Sequence, residues 1–511
     1  MAAKALARRG SKIAENTASL VVSGAAGLIF TVIQLGLLSR SLPGDYFGLF
    51  VALRGFSLLL STVLLAGLPQ VLIRYLPSYQ SRGKQWRALL LFVISTFAVL
   101  ALGFILYIGM DSWRGWIPEG LNSLVHGTVT LWMLLASVTL ALKLLLYGGF
   151  NGLREMRMQM FLEPLYLCAL TIYIFVNRAE LSVLRLFQII FLLNGIVFCI
   201  GLPIFIVFVR RLIGEGESDG HEQVVLPSFF PYWGGAIVLS FVALAFTDVD
   251  RFVMSSVLPV SAVSIFHVAS RINGLLKRFL GMPVVAAQPE ITRVYEQGRG
   301  EELAGKLGLF TKGIFVASIL STGLVAVIGK DVITVLSGSA YSGAYRILLV
   351  LLPTVPVAAI VAPLLIMMRS LHFMHWAVLC DFVWMAGYFG TFSLFVSWWG
   401  VLGMGVAQIA ATAIQMFVAV ALARREGFYG GFGTRLARVL LVVPAVPLGM
   451  VVTARFGVAA SIACVAVFPL ACKLIVRALG VFDETEKRQI TEIVPGSPGR
   501  RLAAWLLSVE T

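Results

Sequence analysis

The sequence predicts an all-α polytopic membrane protein with about fourteen transmembrane helices, and three observations carry that expectation. First, the 511 residues are 59% hydrophobic and only 13% charged, with a mean hydropathy of +0.92, whereas soluble domains carry about 25% charged residues. Second, the apolar residues come in blocks of roughly 20, the length that crosses about 30 Å of hydrocarbon as a helix. Third, Lys and Arg sort to one side of the chain loop after loop. Because lipid offers backbone groups no hydrogen bonds, the blocks must be helical.

Taken in order, the blocks cover 17–39, 46–69, 88–110, 124–148, 159–177, 184–209, 228–248, 258–284, 306–329, 346–368, 373–396, 400–422, 436–454 and 457–477. The first follows Lys4, Arg8, Arg9 and Lys12. It is too long for a signal-peptide core, and no small-x-small cleavage site follows it. The polar stretch at 210–227 (RRLIGEGESDGHEQVVLP) reads as a cytoplasmic linker. The expected organisation is an N-terminal lobe over 1–210, the linker over 211–227 and a C-terminal lobe over 228–424. Two further spans fill 425–478, and a cytoplasmic tail runs over 479–511. With both termini cytoplasmic, that side receives Arg82, Lys84, Arg87, Arg154, Arg157, Arg210, Arg211, Arg293 and Arg299 among others. The opposite side holds fewer, among them Arg40, Arg114, Arg178 and Arg185. This bias accounts for much of the formal charge of +15, so nucleic-acid binding is not expected.

The composition also excludes several chemistries. There is no large soluble domain to house catalysis and no G-x-x-x-x-G-K-S/T loop for ATP, so the chain is read as a non-enzyme. The only cofactor expected is a coupling cation, H+ or Na+. Cys168, Cys199, Cys380, Cys464 and Cys472 all lie in apolar blocks, as buried small hydrophobes do. His372 and His375 lack a third ligand nearby, and no metal site is expected. Asp248-Val249-Asp250 spells D-x-D, but at the end of a span and with no soluble domain around it.

The informative residues are charges inside spans, where each costs about 2.5–3.5 kcal/mol on insertion scales and should face protein or water. Arg54, Lys143, Arg271, Lys277 and Arg278 stand out. Around Lys143, the residues Trp132, Ala136, Thr139 and Tyr147 recur at helical spacing as one polar-aromatic stripe. His267, Gly274 and Arg278 repeat that spacing around Arg271, and Arg54 shares a face with Ser57 and Ser61. The expected binding set is Arg54, Trp132, Thr139, Lys143, Tyr147, His267, Arg271 and Arg278, lining a wet, electropositive cavity. Glu163, Asp248, Asp250 and Asp381 are candidates for ion coupling or for structural pairing with the cations.

Several local strings, in order, carry a resemblance: LPGDYFGLFVALRG, GLPQVLIRYLPSYQSRG, FNGLREMRMQ, FTDVDRFVMSSVLPVSAVSIFHVASRI, AAQPEITRVYEQGRGEEL, VLSGSAYSGAYRILLVLLP and GVLGMGVAQIAA. Together they resemble polysaccharide exporters of the O-antigen flippase type, within the multidrug/oligosaccharidyl-lipid/polysaccharide (MOP) superfamily, over roughly residues 15–425. The resemblance implies two six-helix lobes around a central cavity that rock between inward- and outward-open states. It implies a cargo of polyprenyl-pyrophosphate-linked oligosaccharide, moved from the cytoplasmic to the periplasmic leaflet of a bacterial inner membrane for cell-surface polysaccharide synthesis. Membrane lipids, a polysaccharide polymerase and glycosyltransferases are the implied partners. The competing expectation is a MATE-like ion-coupled antiporter of small molecules, whose cationic substrates would favour acidic residues in the cavity.

Overall fold

A computed structural model describes residues 26–427 except 82–84, 116, 119–126, 154, 214–225, 245–248, 297–299 and 371–372. The expected spans 436–454 and 457–477, the tail and residues 214–225 of the linker therefore lie outside the described residues, as does Asp248, while 211–213 and 226–227 belong to the flanking helices. Among the described residues every regular element is a helix. They run α1 Ala26–Ser41, α2 Gly44–Leu65, α3 Leu68–Ser81, α4 Gln85–Ile108, α5 Met110–Arg114, α6 Gly127–Gly152, α7 Met156–Val176 and α8 Val183–Ile213. There follow α9 Leu226–Leu244, α10 Val249–Met254, α11 Val260–Glu296, α12 Gly300–Ser337, α13 Ala344–Leu351, α14 Thr354–Ser370, α15 Met374–Trp399 and α16 Val401–Arg425.

Among the described residues the expected spans up to 400–422 all lie on these helices, with 46–69 and 346–368 each shared between two. Eight described helices are long and apolar enough to cross a membrane, or nine if α13 and α14, bent by 43°, form one span. That bend replaces the straight helix expected over 346–368. Pro353 sits at the break, where a ring without an N–H interrupts the helical ladder. The second expected span also breaks, at Ala66 and Gly67, whose φ values of 44° and 76° are left-handed. A glycine is needed there twice over, because a Cβ at Gly67 would lie 2.8 Å from the backbone of Ala236 and Ile237 in α9. The long helix α11 is not among the eight, since Arg271, Lys277 and Arg278 dilute its apolar run.

Two compact units emerge, one ending at His267 and the next beginning at Val268. The first thus extends beyond the linker to include α9, α10 and the start of α11. Local contacts explain the extension. Trp233 donates its indole N–H to the Ala66 carbonyl (2.7 Å), and the Tyr232 hydroxyl donates to that of Gln70 (3.2 Å). Arg74 stacks over the Tyr232 ring at 4.1 Å, and Phe252 of α10 stacks on Phe56 of α2 with centroids 4.5 Å apart.

The core of the first unit is built around α6. Gly148 and Gly152, one turn apart, let α3 approach so closely that a Cβ would meet Pro69 and the Leu72 carbonyl. Gly149 on the adjoining face receives Phe205 of α8. Small residues of this kind are how helices gain contact where lipid removes the hydrophobic drive between them. The opposite surface is apolar but exposed. Trp86, Val93, Phe97, Phe104 and Ile108 of α4 all face outward, which in a multi-pass membrane protein is the lipid-contacting side.

Candidate functional site

The site of interest lies in the first unit, where α2, α6 and α7 bring charges together. Lys143, near the middle of α6, is buried to 4% side-chain exposure, and its ammonium lies 3.0 Å from Glu163 Oε2 of α7, itself 35% exposed. The Tyr147 hydroxyl, one turn along α6, donates to the same Oε2 at 2.9 Å. The ammonium also sits over the Tyr166 ring, 3.9 Å from its centroid, close enough for a substantial cation–π attraction. Arg54 of α2 is half-buried and near enough to act electrostatically on both Lys143 and Tyr166. It has no ion-pair partner among the described residues.

The cluster thus holds two cations, Lys143 and Arg54, against one carboxylate. A half-buried excess of positive charge inside helices costs solvation energy, which a bound anion would restore. Alongside it, Ser57 of α2 and Ser137 of α6 share a buried hydrogen bond of 2.7 Å, and Ser61 donates to the Leu58 carbonyl of its own helix. The face shared by Arg54, Ser57 and Ser61 is therefore a packed helix–helix seam below the arginine.

The other expected residues are placed as follows. Trp132 packs edge-on against Phe191 of α8, with centroids 5.5 Å apart, well along α6 from Lys143. Thr139 is buried and returns its hydroxyl to the carbonyls of Leu135 and Ala136. His267 is buried at the end of the first unit, with its ring edge-on to Phe47 at 5.7 Å. Arg271 is half-buried and Arg278 exposed, both on the part of α11 that belongs to the second unit. Asp250 pairs with its neighbour Arg251, both buried, and Arg251 lies 5.8 Å from the Phe266 ring centroid.

In the second unit Asp381 of α15 forms a separate arrangement. Its Oδ2 accepts from Arg369 of α14 at 2.5 Å, and its Oδ1 from Gln415 of α16 at 3.1 Å. Asp381 is 7% exposed and Arg369 39%. Beside it, Trp384 donates to the Thr412 hydroxyl at 3.1 Å and stacks on Tyr388 with centroids 5.1 Å apart. The sequence reading did not single out Tyr166, Arg369 or Gln415, because each meets its partner on a different helix.

No family model matches the chain, and no curated protein sequence matches it. Solved structures do. A lipid II flippase MurJ in an inward-closed conformation is similar at 14% identity and TM-score 0.62, covering 91% of this chain and 99% of that one. An inward-facing multidrug-resistance MATE family transporter of the MOP superfamily is similar at 13% identity and TM-score 0.59, covering 78% and 94%. The chain has the MOP transporter fold. A MATE transporter from Vibrio cholerae, VcmN, is similar at 16% identity and TM-score 0.57, covering 82% and 98%.

Proposed function

We propose that this protein is a flippase for a polyprenyl-pyrophosphate-linked oligosaccharide. It carries this cargo from the cytoplasmic to the periplasmic leaflet of a bacterial inner membrane by alternating access, with both termini cytoplasmic, and it catalyses no covalent step. The observation that carries the reading is the excess cation at Lys143 and Arg54, held against the single carboxylate of Glu163. A sugar and a pyrophosphate are too polar to enter hydrocarbon, whereas the polyprenyl tail is at home there. The protein's task is therefore to shelter the head group. Lys suits phosphate as a point charge and Arg as a planar fork. His267, Arg271 and Arg278 recur at helical spacing along α11 as further basic candidates for a cargo of this chemistry. A coupling cation, H+ or Na+, would act by binding the two states unequally. A polymerase and glycosyltransferases that supply and consume the lipid-linked glycan are the partners this reading calls for.

The test is export of surface polysaccharide in cells carrying Arg54→Met or Lys143→Met at normal membrane abundance. Loss of export with retained abundance supports the reading, and normal export in both variants refutes the assignment of these residues.

A second reading, a MATE-like antiporter of small molecules, is favoured by nearly equal likeness in fold, with TM-scores of 0.57 and 0.59 to MATE transporters against 0.62 to the lipid flippase. It predicts drug resistance on overexpression without any change in surface polysaccharide.

A further inference from the structure

The group bound to Lys143 is another part of the chain. Glu163 holds the ammonium through Oε2 and takes the Tyr147 hydroxyl on that same atom. Oε1 has no hydrogen bond among the described residues. The exposure of the pair also falls on the carboxylate, at 35% against 4% for Lys143, so anything approaching the ammonium meets Glu163 first. Pro164 follows immediately within α7. Having no N–H, it leaves the turn that carries Glu163 one helical bond short and easier to shift. Lys143 also sits over the Tyr166 ring, a contact that does not involve the carboxylate.

We infer that Glu163 is a tethered competitor for the anionic cargo. Its carboxylate neutralises Lys143 in the empty site, a diphosphate displaces it, and its return helps expel the cargo. The inference rests on the anion-binding reading of this cluster and adds the group that sets affinity and release. A diphosphate carries more charge than one carboxylate and can engage Lys143 and Arg54 together, so it wins when present. Glu163, being covalently attached, wins again once the far side dilutes the cargo. Binding is thereby kept moderate, which a carrier needs in order to let go.

The experiment titrates inorganic pyrophosphate into the purified full-length protein by calorimetry, comparing wild type with Glu163→Gln, Glu163→Asp, Tyr147→Phe and Lys143→Met. Glutamine keeps the size and the acceptor while removing the charge. Glu163→Gln is expected to bind pyrophosphate about tenfold tighter, a modest share of the interaction of one charge pair at this depth. In liposomes it should flip a polyprenyl-pyrophosphate probe more slowly than wild type. Glu163→Asp retains the charge and should stay within about threefold of wild type, and Tyr147→Phe, which loosens the carboxylate, should tighten binding by about threefold. Unchanged or weaker pyrophosphate binding by Glu163→Gln overturns the inference. If that variant is too unstable to purify, unchanged or weaker binding by Tyr147→Phe overturns it instead. Wild-type binding that Lys143→Met abolishes would leave the anion reading standing even then. Wild type failing to bind pyrophosphate at all would overturn both.

Discussion

Two carboxylates, Glu163 in the first unit and Asp381 in the second, sit inside helices and face cations, yet they are held in opposite ways. Asp381 is gripped at both oxygens, by Arg369 and Gln415, and the pair is charge-balanced. Among the described residues Glu163 is held at one oxygen only, is more exposed, and answers for two cations, Lys143 and Arg54. A saturated, balanced carboxylate has nothing left to offer a ligand, and its removal strands its partners. An undersaturated one beside an excess cation leaves chemistry to be completed from outside. The Asp381 group therefore reads as a brace between α14, α15 and α16, and the Lys143 group as the binding site we propose.

The sharpest way to break this contrast is to exchange the phenotypes. Replacing both Arg54 and Lys143 by Met is expected to weaken pyrophosphate affinity by roughly a hundredfold or more, since each charge-assisted contact contributes about 1.5–3 kcal/mol. The double variant should unfold close to the wild-type temperature, because the stranded Glu163 is partly exposed. Asp381→Asn should do the reverse. It deprives Arg369 of its counter-ion and is expected to cost about 1–2 kcal/mol in thermal unfolding, discounted because Arg369 is open to solvent. Pyrophosphate affinity should stay within about twofold of wild type, a gap well under 1.4 kcal/mol. If Asp381→Asn abolishes anion binding and the double variant does not, the roles assigned to the two carboxylates are reversed.

Smaller effects sharpen the edges of the picture. Arg74→Ala removes the stacking on Tyr232 that helps hold α9 to α3, and it is expected to cost about 0.5–1 kcal/mol. The smallest effect is expected at the exposed Arg185–Glu180 pair between α7 and α8. The neighbouring guanidinium holds the Glu180 carboxyl below its ordinary value. Solvent nevertheless screens such surface pairs, so Glu180→Gln should leave the melting temperature unchanged.

The sequence made the helices legible because lipid imposes a strict length and composition on each span. It missed the breaks at Gly67 and Pro353, which fall inside apolar blocks where hydropathy alone is continuous. Within the site, helical spacing puts Lys143 and Tyr147 one turn apart on one face, and both reach Glu163 Oε2. The same spacing placed Trp132 on that face, yet eleven residues separate the two, roughly 16 Å along the axis. Face is legible from periodicity, whereas depth is not, and Trp132 meets Phe191 instead. Thr139 is near in both senses, but its short hydroxyl bonds back to its own helix, as threonines inside helices do. The sequence leaves Glu163 between ion coupling and pairing with a cation, and the structure pairs it with Lys143. Its meaning depends on α7 packing beside α6, a contact that no single-helix pattern encodes.

The central claim is that the positive cluster of Arg54 and Lys143 handles an anionic lipid-linked cargo. The most direct measurement reconstitutes the full-length protein in liposomes and follows a fluorescent polyprenyl-pyrophosphate oligosaccharide between leaflets. Wild type should move the probe, and the Arg54→Met/Lys143→Met variant, equally abundant and equally folded, should not. Equal transport by both proteins, or a wild type that ignores this probe while exchanging a cationic drug for H+ or Na+, would contradict the account.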